Sequence, residues 1–276
     1  MRSVLFILPA LAACQEYQQH RVALVPHAAP LPYDGQPMQS QGSISIGADS
    51  LFDVIRPSVG DPTQGDEIPA TQLRGQAAIR VGDMFSVAGI FEHAITQTAT
   101  VVSPTSPKIT DASLSGAGLA LRWSTPTSTP GLRVAFATEL VLWNVPYAEF
   151  NQCVQPCTYG ASFAADNGEI IPTLGVAVIT SYRTGRMTYF GGATLRNQPT
   201  ITELNLTTIP DNDGGPSSGK FNLTLHAGVG VDIGSGVQAS AFIDQTIPSD
   251  PVSYGPSVGM QLEIPLGDRI APRTAL

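Results

Sequence analysis

The sequence predicts an all-β protein: an antiparallel, up-and-down transmembrane β-barrel of about ten strands. Three observations lead to this prediction. Apolar and polar residues alternate with period two along most of the chain after residue 39, as they do in a strand with one apolar and one polar face. No segment shows the spacing of an amphipathic helix. Short and long connections alternate, as do the short periplasmic turns and long external loops of a membrane barrel.

The composition limits the class of protein. The 276 residues include 27 glycines and 23 prolines, and only 13% of the residues are charged, against about 25% in an ordinary soluble domain. The formal net charge is −8, which argues against nucleic-acid binding as the main task, because phosphates attract basic surfaces. The length fits one large all-β domain or two small ones.

Residues 1–13 are predicted to be a signal peptide. Arg2 gives a basic start, and Val4 to Ala10 form an apolar stretch that is too short to span a bilayer. The sequence Leu-Ala-Ala-Cys at 11–14 resembles a bacterial lipobox, which implies that Cys14 is lipidated and becomes the new N terminus. Gln15 after this cysteine implies release to the outer membrane. The alternative is an ordinary secretory signal beside a chance cysteine, and both alternatives export the chain.

The region after the signal peptide divides into three parts. Residues 14–39 contain four prolines and little periodicity, which predicts a lipid-anchored, extended tether on the periplasmic side. Residues 40–266 are expected to form the barrel. Residues 267–276 are expected to form a C-terminal tail.

Two further cysteines, Cys153 and Cys157, lie close together in one predicted loop. An exported chain meets oxidising conditions, which favours a local disulfide between them. A metal site would need more ligands, and no histidine lies near these cysteines. We therefore predict a disulfide, with no metal and no cofactor.

Ten segments carry the alternation. In the clearest, every second residue from Phe221 to Val231 is apolar. Because the number of strands is even, the first strand begins and the last strand ends on the same side of the barrel, the side with the short turns. The predicted strands are Gly42–Ala48, Gln72–Val81, Met84–His93, Leu114–Trp123, Leu132–Trp143, Ile170–Thr180, Met187–Arg196, Phe221–Asp232, Val237–Asp244 and Tyr254–Ile264.

The two faces of these strands differ in charge. The apolar faces contain no Arg, Lys, Asp or Glu, as a lipid-facing surface requires. The polar faces carry five cations and five carboxylates, which we expect to pair and to narrow the lumen. These predicted lumen residues are Arg74, Arg80, Glu92, Arg122, Arg133, Glu139, Arg196, Asp232, Asp244 and Glu263. Aromatic residues near strand ends suggest girdles at the membrane interfaces, and they are Phe85, Phe91, Trp123, Trp143, Tyr182, Phe221 and Tyr254.

From about Gln39 to Leu266, this alternation and the rhythm of its connections resemble those of small bacterial outer-membrane β-barrel proteins. The resemblance implies an outer-membrane location, contact with membrane lipid and a structural, narrow-pore or surface-recognition role without catalytic chemistry. Small solutes are the ligands that a narrow pore would take. Many such proteins end on a strand with a terminal Phe, whereas the tail Pro265 to Leu276 follows the last strand here.

Two alternatives come from other functional classes. One is a periplasmic lipoprotein whose soluble β-barrel binds a small apolar ligand. The other is a barrel enzyme, for which His226, with Thr224 and Asp232 on the same strand face, is the candidate. The chain has no G-x-S-x-G, H-E-x-x-H or P-loop motif, so we predict that it is not an enzyme.

Overall fold

The computed structural model describes residues 17–24, 26–27, 33–52, 54–55, 65–67, 71–95, 113–153, 162–201, 216–247 and 253–269. Within this part of the chain, no helix is long and apolar enough to cross a membrane. The strands are β1 (Tyr17–Leu24), β2 (Ser40–Leu51), β3 (Val54–Ile55), β4 (Gly65–Glu67), β5 (Thr71–Arg80), β6 (Phe85–Ile95), β7 (Ser115–Pro126), β8 (Leu132–Cys153), β9 (Ser162–Thr184), β10 (Met187–Ile201), β11 (Pro216–Gly234), β12 (Val237–Ile247), β13 (Ser253–Tyr254) and β14 (Ser257–Arg269).

Ten of these strands close into an antiparallel, up-and-down barrel. Each barrel strand pairs with the barrel strands before and after it in the chain, and β14 pairs with β2 to complete the ring. Closure leaves no unpaired sheet edge in the ring. The ring consists of β2, β5, β6, β7, β8, β9, β10, β11, β12 and β14. These strands coincide with the ten predicted segments, so the predicted fold class is confirmed.

The connections distinguish two ends of the barrel, which we call the turn end and the loop end. At the turn end, two connections have only two residues: Gly185-Arg186, with Thr184 paired to Met187, and Ser235-Gly236, with Gly234 paired to Val237. Gly185 has a φ of 58°, a left-handed conformation that costs glycine little. The barrel also begins and ends here, because Ser40 of β2 pairs with Arg269 of β14. The longer connections lie at the loop end.

β8 and β9 are much longer than predicted, with 22 and 23 residues. They remain paired as far as Asn151 and Ser162, beyond the last residue of β8 that β7 reaches, Asn144. Most of the segment predicted as a long loop is therefore a two-stranded ribbon at the loop end. β1 pairs antiparallel with the β8 side of this ribbon, which satisfies backbone groups that a loop would leave to water.

The outer face of the barrel is apolar, whereas the inner face carries the charged and amide side chains together with a buried apolar cluster that includes Ile90, Val141 and Ile171. Ile46, Leu119 and Met260 face outward and are 64%, 61% and 72% exposed. On the described outer face of the ring, no Arg, Lys, Asp or Glu occurs. Charged side chains such as Arg74 and Glu92 point inward and are almost fully buried. A soluble barrel would have the opposite arrangement.

Trp143 departs from its predicted place in an interfacial girdle. It faces the lumen and is fully buried, its Nε1 donates to Thr173 Oγ1 at 3.1 Å, and the Arg196 guanidinium lies 5.7 Å from its ring centroid. Strand alternation puts it inward, one residue after the outward Leu142. The side chain of Tyr254 lies outside the described residues. The remaining predicted aromatic residues are exposed on the outer face, and they are Phe85, Phe91, Trp123, Tyr182 and Phe221.

Candidate functional site

The lumen is the candidate functional site because it collects the charged side chains of the strands. The structure places all ten predicted lumen residues at inward-facing strand positions. Arg74, Glu92, Arg122, Arg196 and Asp244 are buried. The other five are half-buried, and they are Arg80, Arg133, Glu139, Asp232 and Glu263.

Five side chains form a central ion cluster, which we define as Asp49, Arg74, Glu92, Glu139 and Arg196. Arg74 Nε lies 3.1 Å from Asp49 Oδ1 and 3.8 Å from Glu92 Oε2. Arg196 Nη2 lies 3.4 Å from Glu92 Oε1, and its Nε lies 3.1 Å from Glu139 Oε1. Glu92 is on β6 and Arg196 is on β10, so these ion pairs cross the bore. They offset the cost of burying the charges, which is several kcal/mol for each unpaired ion.

Asp49 is a cluster member that the sequence analysis missed. The predicted strand ended at Ala48, whereas β2 continues to Leu51. Alternation then places Asp49 on the inner face with Ser45 and Gly47, and Asp49 is 2% exposed. The signal was present in the sequence, because one more residue of the same alternation would have identified it.

The N-terminal segment enters the lumen. We call the described residues 26–27 and 33–39 the plug. The sequence analysis predicted a lipid-anchored, extended tether on the periplasmic side over residues 14–39, whereas Tyr33, Asp34 and Gln36 contact inward-facing residues of the barrel. An extended, proline-rich chain cannot satisfy its own backbone groups, and the polar lumen supplies donors and acceptors for them.

The turn-end part of the plug is held by side chains from several barrel strands. Gln238 Nε2 donates to Asp34 Oδ2 at 2.9 Å, and Gln36 Nε2 donates to Ser181 Oγ at 2.7 Å. The Arg122 guanidinium lies 4.8 Å from the ring centroid of Tyr33, a cation–π contact. These contacts fix the plug to β7, β9 and β12.

A tight turn at Gly35 shapes this part of the plug. Tyr33 Oη donates to the Gln36 carbonyl at 2.8 Å, and the Gln36 N–H donates to Asp34 Oδ1 at 2.9 Å. Gly35 has a φ of 73°, and its carbonyl accepts a hydrogen bond from Ser124 Oγ at 2.6 Å. A Cβ at Gly35 would lie 3.0 Å from the Ser181 hydroxyl. The position therefore requires glycine for both its conformation and its space.

The loop-end part of the plug is anchored at His27. Its Nδ1 lies 2.6 Å from Asp49 Oδ2, and its backbone N–H donates to Gln72 Oε1 at 2.9 Å. The preceding carbonyl, of Pro26, accepts a hydrogen bond from Gln198 Nε2 at 2.7 Å. His27 is 2% exposed. Through Asp49 it joins the plug to the central ion cluster.

Several predicted lumen charges lie outside the central ion cluster and have other partners. Arg122 donates a hydrogen bond to the Gln76 side chain. Arg80 Nη2 lies 2.8 Å from Asp83 Oδ1 in the β5–β6 turn, and its Nη1 donates to the Met38 carbonyl of the plug at 3.1 Å. Asp232 accepts from the Gly234 N–H at 3.0 Å. Part of the lumen charge therefore holds turns and the plug in place.

The cavities lined by described residues of the plug and the barrel are small. Three such cavities have volumes of about 10, 20 and 50 Å³. A cavity needs about 10–15 Å³ to hold one water molecule. Each cavity has room for one or a few waters, and none of the three is a continuous channel.

The structure does not assemble a catalytic triad at His226. Thr224 Oγ1 is 3.0 Å from Thr246 Oγ1, and Asp232 lies six residues from His226, toward the turn end of the same strand. Asp244 is the residue opposite His226 on β12. Among the described residues, no group of three or more His, Cys, Asp or Glu side chains is placed to hold a metal ion.

The predicted cysteine chemistry falls outside the described residues. Cys14 and Cys157 are not among them, and Cys153 is described by its backbone as the last residue of β8. Lipidation and the disulfide therefore stay predictions.

The chain matches no family model and no curated protein. Among solved structures it is similar to the translocator domain of the autotransporter NalP from Neisseria meningitidis, with 10% identity, a TM-score of 0.37 and coverage of 82% of this chain and 89% of that one. It is also similar to the N-terminal β-barrel domain of Pseudomonas aeruginosa OprF, with 10% identity, a TM-score of 0.32 and coverage of 82% and 100%. A third similarity is to Neisserial surface protein A, with 14% identity, a TM-score of 0.30 and coverage of 81% and 95%. The fold assignment rests on the strand pairing itself, and these similarities add no evidence about function.

Proposed function

We propose that this protein is a bacterial outer-membrane barrel whose lumen is closed by its own N-terminal segment. In this proposal it has a structural or surface-recognition role, it catalyses no reaction, and it carries a lipid on Cys14. The observation that carries the proposal is the filled, charged lumen inside an apolar outer face. The apolar outer face supports membrane insertion, and the filled, charged lumen supports closure.

The outer face supports membrane insertion. β6 has 11 residues, and a strand of this length tilted by about 40° rises about 28 Å, close to the apolar band of about 25 Å in membrane barrels. The exposed side chains Leu119 and Met260 would be costly to leave in water and favourable in lipid. Trp123 and Phe136 stack at 5.7 Å between ring centroids on the same face near the turn end, where an interfacial girdle would lie.

The lumen supports a closed state. The central ion cluster crosses the bore, and the turn-end part of the plug, residues 33–39, occupies the space between that cluster and the turn end. An ion would have to displace buried ion pairs such as Arg196–Glu139 and the hydrogen bonds of Asp34 and Gln36. A ten-stranded barrel is only slightly wider than one whose interior is filled by side chains.

The soluble alternative, a barrel that binds an apolar ligand, is disfavoured by the same faces. Its ligand would need an open, mainly apolar cavity, whereas the interior here is crossed by buried ion pairs and its apolar side chains pack against one another. The described apolar groove of about 580 Å³ includes Phe85, Trp123, Phe136, Val178 and Leu195 in its lining. These side chains belong to the outer face of the barrel, where the membrane would cover them.

Planar-bilayer recording of the full-length protein tests the proposal. The protein is purified in detergent, its folded state is checked by heat-modifiable migration on a gel, and its insertion is checked by flotation with phosphatidylcholine vesicles. We expect insertion without steady conductance above that of the protein-free bilayer. Large, steady conductance would contradict the closed lumen, and failure to float with vesicles would contradict the membrane barrel.

A further inference from the structure

The course of the chain before the plug is unexpected for a barrel that begins at the turn end. β2 starts at Ser40 at the turn end, yet β1 pairs with the loop-end extension of β8. The register runs from Tyr17 opposite Cys153 to Ala23 opposite Tyr147. These residues of β8 lie beyond the last position that β7 reaches, Asn144. β1 therefore lies outside the ring, at the opposite end from the start of β2.

The contacts of the plug order its residues along the barrel axis. Met38 is held at the turn end by Arg80, the last residue of β5. Tyr33 lies deeper, against Arg122. His27 is bound by Gln72, which is near the loop end of β5. Read from Ser40 toward the N terminus, the described contacts therefore move from the turn end of the lumen to its loop end.

The length of the segment is sufficient for this path. Arg122 bonds to Gln76, and Gln76 is four residues from Gln72 on β5, a separation of about 13 Å at about 3.3 Å per strand residue. Tyr33 and His27 are six residues apart, and six extended residues span up to about 20 Å. The intervening residues need not be fully extended to connect the two contacts.

We infer that the N-terminal segment of this chain is threaded through its own barrel, so that β1 and the residues before it lie on the outer side of the membrane. This inference rests on the proposed outer-membrane barrel, in which the loop end faces outward. Cys14 is three residues before Tyr17 and so lies within about 11 Å of it. A lipid on Cys14 would therefore enter the outer leaflet from the cell surface, opposite to the periplasmic anchor that the sequence analysis expected.

Labelling of single cysteines with a membrane-impermeant maleimide tests the inference in intact cells. The background carries Cys153→Ser and Cys157→Ser, and its labelling gives the baseline. β1 is tested at two positions, Gln18→Cys and Gln19→Cys. Neighbouring side chains of a strand face opposite ways, so the two variants together probe both faces of β1.

Two control positions define the ends of the barrel. Ser113→Cys is exposed just before β7 at the loop end, and Thr184→Cys is exposed beside the turn Gly185-Arg186. Each variant is used only after heat-modifiable migration shows that its barrel is folded. Each is labelled in intact cells and again after the outer membrane is permeabilised.

We expect full labelling in intact cells for Ser113→Cys and for at least one of the two β1 variants, and labelling of Thr184→Cys only after permeabilisation. If Ser113→Cys is labelled in intact cells but both β1 variants require permeabilisation, the threading inference is overturned and the proposed barrel stands. If Ser113→Cys also requires permeabilisation, the proposed orientation in the outer membrane fails and the inference fails with it.

Discussion

The position of a residue along its strand determines whether its side chain faces lipid or the lumen. A step of one residue along a strand reverses the direction of the side chain, and the outward Leu142 is followed by the inward Trp143. The same alternation takes Asp49 into the central ion cluster. Charge at an outward position and loss of charge at an inward position should therefore both be damaging, for different physical reasons.

Met260→Arg is the sharpest test of the outer face. Met260 is 72% exposed on β14, so in a soluble barrel an arginine there would be harmless. In a membrane barrel the guanidinium would face lipid between the midplane and the loop end, and we expect a loss of about 1–4 kcal/mol in the free energy of unfolding, since the cost falls from the midplane toward the interfaces. Urea unfolding in lipid vesicles measures this loss.

Met260→Leu is the matched control, because it keeps the apolar surface and changes only the shape of the side chain. We expect it to unfold at nearly the wild-type urea concentration. Equal stability of the arginine and leucine variants would show that Met260 does not face lipid.

Arg196→Met tests the central ion cluster. The guanidinium of Arg196 contacts both Glu92 and Glu139, and its removal leaves the buried Glu92 and the half-buried Glu139 short of positive charge. We expect a loss of about 3–5 kcal/mol in the free energy of unfolding, the range found when one partner of a buried ion pair is removed. Arg133→Met is the control, since Arg133 is half-buried near the turn end. Similar losses for both variants would contradict a special role for the cluster.

At the scale of elements, the strands were predictable and the plug was not. Strand alternation is local, so the sequence carries the ten barrel segments and the turns between them. The extension of β8 also pairs with β1, a strand more than 120 residues earlier in the chain, and no local pattern shows that. The position of the plug depends on distant contacts, such as the hydrogen bond between Gln238 and Asp34, which connect residues far apart in the chain.

Gly35→Val tests the plug as an element. Valine would have to adopt the φ of 73°, at a cost of about 1–3 kcal/mol, and its side chain would collide with Ser181 and Ile179. We expect the turn-end part of the plug to leave its site and a small conductance to appear in planar bilayers, limited by the central ion cluster that still crosses the bore. The barrel itself should stay folded, since its strands pair independently of Gly35.

Gly267→Val is the matched control for backbone strain. Gly267 also has a positive φ, of 79°, but a Cβ there would meet its nearest atom only at 3.5 Å. It lies near the end of β14 and outside the plug. Conductance in both variants would point to a general effect of strain, and conductance in neither would show that displacing this turn does not open the lumen.

At the scale of the whole molecule, the barrel and the predicted lipid are two independent ways of reaching a membrane. The barrel depends on the apolar outer face, which includes Ile46 and Leu119. The lipid depends on Cys14 alone. A soluble lipoprotein would lose its membrane association without the lipid, because the lipid is its only contact with the bilayer. A membrane barrel would keep it, because the whole belt of outward side chains remains buried in lipid.

Cys14→Ser, with residues 1–13 replaced by a conventional cleavable signal peptide, separates these two cases. We expect the variant to remain in the outer-membrane fraction, to resist washing with high salt and alkaline buffer, and to keep heat-modifiable migration. The wild-type protein is the control for yield and fractionation. Metabolic labelling with a radioactive fatty acid in the same experiment should mark the wild type and not the variant, if Cys14 carries the lipid. Recovery of the folded variant in the soluble periplasmic fraction would contradict the barrel as the membrane-embedded part, and it would favour the soluble lipoprotein instead.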